Sequence, residues 1–211
     1  MAEKERGKEN LEKRFFPGFG KYEIPEIRSC ESYTAQNFIS FNNALTEKNR
    51  KHKGLHFFVD DYQFERLWLS PERYVSLFQS YDCICSPDFS IYADYPFAMQ
   101  IYNHYRKMWL SLYYQEYGIS VVPTVCWGDD RSFEFCFDGM PVDSVVACSN
   151  TGCVHGEYQK TLFMDGFEKM INVLEPKEIL FYGQKSEFVE DFGIKITYIG
   201  DSHSRFVELF D

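Results

Sequence analysis

Short apolar runs recur along the chain, and from residue 54 onwards each stops at a cluster of polar side chains. Residues 55–59 (Leu-His-Phe-Phe-Val) meet Asp60-Asp61, and Cys83-Ile84-Cys85 meets Ser86-Pro87-Asp88-Phe89-Ser90. Residues 119–126 meet Trp127-Gly128-Asp129-Asp130, and residues 145–148 meet Ser149-Asn150-Thr151-Gly152. Residues 179–182 end at Gly183-Gln184, and residues 194–199 at Gly200-Asp201-Ser202. Runs that are apolar on both faces read as strands of a parallel sheet covered by helices.

The segments between the runs read as helices. Ser70-Pro71 supplies a cap and a first-turn proline, Asp94-Tyr95-Pro96 opens a long helix closed by Gly118, and residues 158–174 form another that stops at Pro176. A short helix is expected near 186–192, capped by Gly193. Ahead of this pattern, Ile24-Pro25-Glu26-Ile27 suggests a short strand, and residues 34–45, with Phe38, Ile39, Phe41 and Leu45 at roughly helical spacing, predict a helix.

Strands alternating with helices predict an α/β fold of mostly parallel strands. The expected form is an incomplete TIM-barrel-like arrangement, with an open doubly wound sheet as the alternative. In either form the loops after the strands share one rim. Residues 1–20 read as a charged, flexible lead with an aromatic turn segment, and residues 21–211 as a single α/β domain.

Composition narrows the function. With 22 Lys and Arg against 32 Asp and Glu, the chain carries a net charge of −10, which disfavours extended coating of DNA. Aromatic residues make up 18% of the chain, enough to line a groove as well as fill a core. The seven cysteines are an odd number, and those at 83, 85, 126 and 148 sit inside apolar runs, so reduced thiols of a cytoplasmic protein in a bacterial host cell are expected. The charged start and the lack of a long apolar stretch predict neither secretion nor a membrane span.

The rim carries the candidate chemistry. Asp60, Asp61 and Asp88 are the expected catalytic carboxylates, able to divide acid and base roles if burial separates their affinities for protons. Asp60, Asp88 and Asp129 are the expected hard-oxygen ligands for Mg²⁺ or Mn²⁺. Expected substrate contacts are Asn103, Arg106, Trp127, Ser149, Asn150 and Thr151; the last three follow a strand and can offer backbone N–H groups to a phosphate. Each Asp also has a plainer reading, as a turn or helix-capping residue. Zinc binding through Cys83, Cys85, Cys148, Cys153 and His155 lacks the paired short spacings such sites use. The thiols of Cys126, Cys136 and Cys153 near the rim have no histidine at a telling spacing.

Several stretches together resemble a known family. They are Phe57-Phe-Val-Asp-Asp-Tyr-Gln-Phe-Glu-Arg-Leu-Trp68, Ser86-Pro-Asp-Phe-Ser90, Asn103-His-Tyr-Arg-Lys-Met-Trp109, Val125-Cys-Trp-Gly-Asp129 and Phe135-Cys-Phe-Asp-Gly-Met-Pro141. The combination, over roughly residues 55–183, is similar to domain of unknown function 4417. The resemblance implies a bacteriophage or mobile-element setting and assigns no catalytic residue.

The expected role is therefore a phage or mobile-element accessory protein. One reading is a metal-assisted hydrolase acting on a nucleotide or nucleic-acid phosphate at the rim. The alternative is a non-enzymatic inhibitor that binds a host defence or nucleic-acid-binding protein through an acidic, aromatic-rich surface. A third is a pocket that sequesters a nucleotide without chemistry.

Overall fold

A computed structural model describes residues 13–151, 156–185 and 187–200. Strands β1 (Gly18–Phe19) and β2 (Ile24–Pro25) form a small antiparallel pair. Then follow β3 (Asn37–Ser40), β4 (Lys53–His56), α1 (Glu65–Leu69), α2 (Val75–Phe78), β5 (Cys83–Cys85) and the long α3 (Phe97–Glu116). After β6 (Val121–Val122) come β7 (Val145–Ser149), α4 (Glu157–Leu174), β8 (Glu178–Tyr182), α5 (Glu187–Glu190) and β9 (Lys195–Ile199). Gly118 and Gly193 take φ of +74° and +68°, the left-handed geometry that lets a chain leave a helix without a Cβ penalty.

The strands of the main sheet are parallel and stand in chain order. β3, β4, β5 and β6 form one hydrogen-bonded set, and β7, β8 and β9 another. A bridge between Thr124 and Ala147 joins the two sets, with Val125 N donating to Ala147 O at 2.8 Å and Ala147 N to Pro123 O at 2.7 Å. Pro123 has no N–H, which explains why the predicted strand over 119–126 is reduced to two residues and this bridge.

Among the described residues the sheet is open and forms no closed barrel. Its strand order also lacks the reversal that defines a doubly wound sheet. The edge strands turn towards each other, since Asn37 and Phe38 of β3 and Thr197, Tyr198 and Ile199 of β9 line one cavity of about 230 Å³. A single apolar cluster takes in Phe38, Leu55, Cys85, Ala147, Leu180 and Ile199, so side chains from both strand sets share one core.

The helix predicted over residues 34–45 is replaced by β3 and a 3-10 turn at Phe41–Asn43. Phe38 and Ser40 point inward while Asn37 is exposed, and β4 supplies hydrogen-bond partners along the strand. Ser40 Oγ then accepts from Asn42 N and starts the turn. Leu45, assigned to the buried face of the expected helix, is 62% exposed. The Ser70-Pro71 start is likewise a 3-10 turn, Pro71–Tyr74, that runs into α2. Among the described residues no helix is long and apolar enough to cross a membrane.

The feature of α3 that matters for the site is its polar interior. Gln100, Asn103, His104, Lys107 and Ser111 recur at helical spacing, and all are buried. A stripe of this kind ordinarily faces water. Here it faces the ends of β5 and β6.

Candidate functional site

Three segments meet under α3: the turn after β4, the segment 86–90 after β5, and the stretch that follows β6. The segment after β5 is pinned at both ends. Thr124 Oγ1 donates to Ser86 O at 2.9 Å, and Ser111 Oγ donates to Ser86 Oγ at 2.8 Å. At the other end Asp61 accepts from Ser90 N at 3.0 Å and from Ser90 Oγ at 2.8 Å, while Asn103 Nδ2 donates to Ser90 O at 2.6 Å. Asp88 is thus carried on a strap fixed to the neighbouring strand, the long helix and the preceding turn.

Asp88 is the outlying group. Its Oδ1 is shut off from solvent and has no hydrogen-bond partner. Burial pushes the carboxyl up to about 6, against the opposing pull of Lys107, and the nearby charge of Asp61 adds to the rise. Asp61 is also raised by burial, offset by its bonds from Ser90.

Lys107, fully buried, sits behind this carboxyl and donates from Nζ to Cys126 Sγ at 3.2 Å. Burial raises the Cys126 thiol, with Lys107 opposing. Three residues earlier on α3, His104 Nε2 meets Asp138 O at 2.9 Å, which fits a proton on Nε2, while Nδ1 is buried without a partner. Burial and Lys107 push His104 down to about 3, so it stays neutral.

Arg106 is occupied by a neighbour that sequence reasoning missed. Its Nη1 reaches Glu65 Oε1 and Oε2 at 2.7 Å each, and its guanidinium lies 3.7 Å from the Phe89 ring centroid. This clamp fixes α1 to α3 and covers the strap that bears Asp88.

The structure brings Asp61, Asp88, Asn103 and Arg106 together and puts the other expected residues to different tasks. Asp60 is exposed and accepts from Gln63 Nε2 at 3.3 Å. Asp129 caps the 3-10 turn Asp130–Glu134, accepting from Arg131 N at 3.2 Å and Arg131 Nε at 2.9 Å. Trp127 donates from Nε1 to Leu162 O at 3.0 Å and packs on Gly166 of α4. Among the described residues no group of three or more His, Cys, Asp or Glu side chains is arranged to hold a metal ion. Gly152, Cys153, His155, Asp201, Ser202 and the lead over residues 1–12 lie outside the described residues.

Asn150 and its neighbours form a latch between the loops after β7 and β8. Asn150 Nδ2 donates to Gln184 O at 2.9 Å and its Oδ1 accepts from Gln184 N at 3.0 Å. Ser149 Oγ meets Thr151 through both the hydroxyl, at 2.9 Å, and the backbone N, at 3.0 Å. Gly183 has φ of +127°, and a Cβ placed there would overlap Asn150 Oδ1. Gly183→Ala therefore combines backbone strain with loss of the latch and is expected to cost about 2–4 kcal/mol in urea unfolding. An unchanged midpoint would mean that the latch is not held closed by this contact.

Lys107 and Glu65 were the residues least visible in the sequence. The signal available was the spacing of polar residues on α3, which reads equally as a solvated face.

Comparison with known proteins agrees with the resemblance and extends it. The chain is 37% identical over 171 residues to the Gene 1 protein of Mycobacterium phage D29, a match that covers 80% of this chain and 63% of that protein. It is 38% identical over 172 residues to the Gene 1 protein of Mycobacterium phage L5, covering 80% of this chain and 74% of that one. The chain thus spans less than two thirds of the length of its D29 relative. No solved structure matches it. Residues 16–199 match the family model described as a domain of unknown function, DUF4417, and the chain belongs to that family, whose relatives here are phage proteins.

Proposed function

We propose that this is a phage accessory hydrolase acting on a nucleotide-sized phosphate substrate at the C-terminal ends of its parallel strands. In this reading Asp88 is the acid–base group and Asp61 the carboxylate beside it. The observation that carries the reading is the unpartnered Oδ1 of Asp88 at a strand end, on a carboxyl raised to about 6. Such a group can give and take protons near neutrality, and a positioned acid–base residue contributes about 10²–10⁴-fold to rate. The net charge of −10 favours a small phosphate substrate over a duplex. Mg²⁺ or Mn²⁺ belongs to this reading as the companion of the substrate's own phosphates, with few protein ligands.

The test is turnover of nucleoside mono-, di- and triphosphates and short oligonucleotides by the purified protein. Hydrolysis that falls at least 100-fold in Asp88→Asn, about the lower end for an acid–base residue, is the expected result. Hydrolysis untouched by both that substitution and EDTA overturns the proposal. Tight binding without turnover would instead favour nucleotide sequestration.

A second reading, capture of a host protein, is favoured by the exposed Leu69 on α1 and the exposed Met99 and Tyr102 on the neighbouring α3. It expects one host protein to be retained by Asp88→Asn and lost by Leu69→Glu/Tyr102→Glu.

A further inference from the structure

We propose that Lys107 and Cys126 are a site of oxidative modification, at which hydrogen peroxide joins Nζ to Sγ through a covalent S–N bond. The contact itself is the first argument. Lys107 Nζ lies 3.2 Å from Cys126 Sγ, and both side chains are held by packing, one on a buried stretch of α3 and the other just after the Thr124 bridge. Long lysine side chains usually carry their amines to water; this amine is brought to sulfur instead.

Access is the second argument. Among the described cysteines, Cys30, Cys83, Cys85, Cys136 and Cys148 are buried, whereas Cys126 is only partly so. A small uncharged oxidant can reach it more readily than the others. Burial keeps the thiol protonated, so the reaction is slow and needs an oxidant in excess.

The third argument is a proton acceptor in the right place. The Asp88 carboxyl feels the charge of Lys107, and its own charge acts on the Cys126 thiol. The proton that the lysine nitrogen sheds as the S–N bond forms therefore has a carboxylate nearby to receive it.

The chemistry balances in two steps. Sulfur attacks one oxygen of the peroxide, the O–O bond breaks, and the departing hydroxide takes the thiol proton; the products are Cys126 sulfenic acid and water. The Lys107 amine then attacks sulfur, the S–O bond breaks, and the leaving hydroxide takes a proton from nitrogen to give a sulfenamide and a second water. Sulfur is oxidised by two electrons, and the peroxide is reduced. Excess thiol reverses the product by attack at sulfur. This inference stands whether or not the site is hydrolytic, because it needs only the three side chains.

The experiment treats the full-length wild-type protein with hydrogen peroxide, removes the oxidant, alkylates free thiols and digests without reductant. Tandem mass spectrometry is expected to find the Lys107 and Cys126 peptides joined and lighter than their sum by two hydrogens, and dithiothreitol is expected to separate them. Cys126→Ser is expected to abolish the joined species. Recovery of Cys126 as a free thiol or a sulfinic acid beside an unmodified Lys107 would overturn the proposal. So would a joined species that carries an added oxygen and is still separated by dithiothreitol, since that behaviour marks an S–O–N bridge.

Discussion

Asp88→Asn is expected to make the protein more stable at pH 8 while removing the proposed hydrolysis. Burial holds the Asp88 proton more tightly in the fold than in the unfolded chain, with the carboxyl raised from 3.8 to about 6. Between those values the folded state binds more protons than the unfolded one. Stability is therefore greatest below the unfolded value and falls as pH rises through 6. A shift of this size is worth about 3 kcal/mol at pH 8 at most. Asparagine carries no charge to desolvate, so its stability curve lacks this component. Urea unfolding at pH 4 and pH 8 checks the expectation: little difference between variant and wild type at the lower pH, and a gain of about 1–3 kcal/mol at the higher. A variant less stable at pH 8 would show that the carboxylate is a structural anchor for Lys107 and not a strained functional group.

That trade-off bears on what the sequence could and could not disclose. The strands after residue 53 were legible because burial on both faces forces an unbroken apolar run, whatever the rest of the fold does. Residues 34–45 were misread because Phe38, Ile39 and Phe41 satisfy a helical and an extended pattern over so short a stretch. Pairing with β4 decides between them, and that is a non-local fact. The candidate site was half legible for the same reason. Asp88 and Asp129 both follow a strand, and nothing in their immediate neighbours separates them except Arg131, which turns back and occupies Asp129. Asp88 owes its environment to α3, whose buried polar stripe is indistinguishable in sequence from a wet face. Glu65 lies far from Arg106 along the chain, so their clamp is visible only once α1 and α3 are packed.

Lys107→Met is expected to do the reverse of Asp88→Asn at high pH. Methionine matches the length of the lysine stem and suits the surrounding core, so the packing is largely kept. What disappears is the positive charge that holds the Asp88 carboxyl down. The two groups are not in direct ion-pair contact, so what is lost is one longer-range attraction, about 1–2 kcal/mol. The loss is expected in full at pH 8 and reduced near pH 5, where Asp88 escapes it by binding a proton. The double variant Asp88→Asn/Lys107→Met removes both charges and is expected to recover most of the loss, since no carboxylate is then left without the lysine's attraction. Urea unfolding of the wild type, both single variants and the double variant at pH 8 closes the cycle. Additive effects would mean that Lys107 and Asp88 act independently, and the raised carboxyl would then be a consequence of burial alone. Strong coupling would identify Lys107 as the residue that keeps Asp88 within reach of neutral pH, the condition any acid–base role for this carboxyl requires.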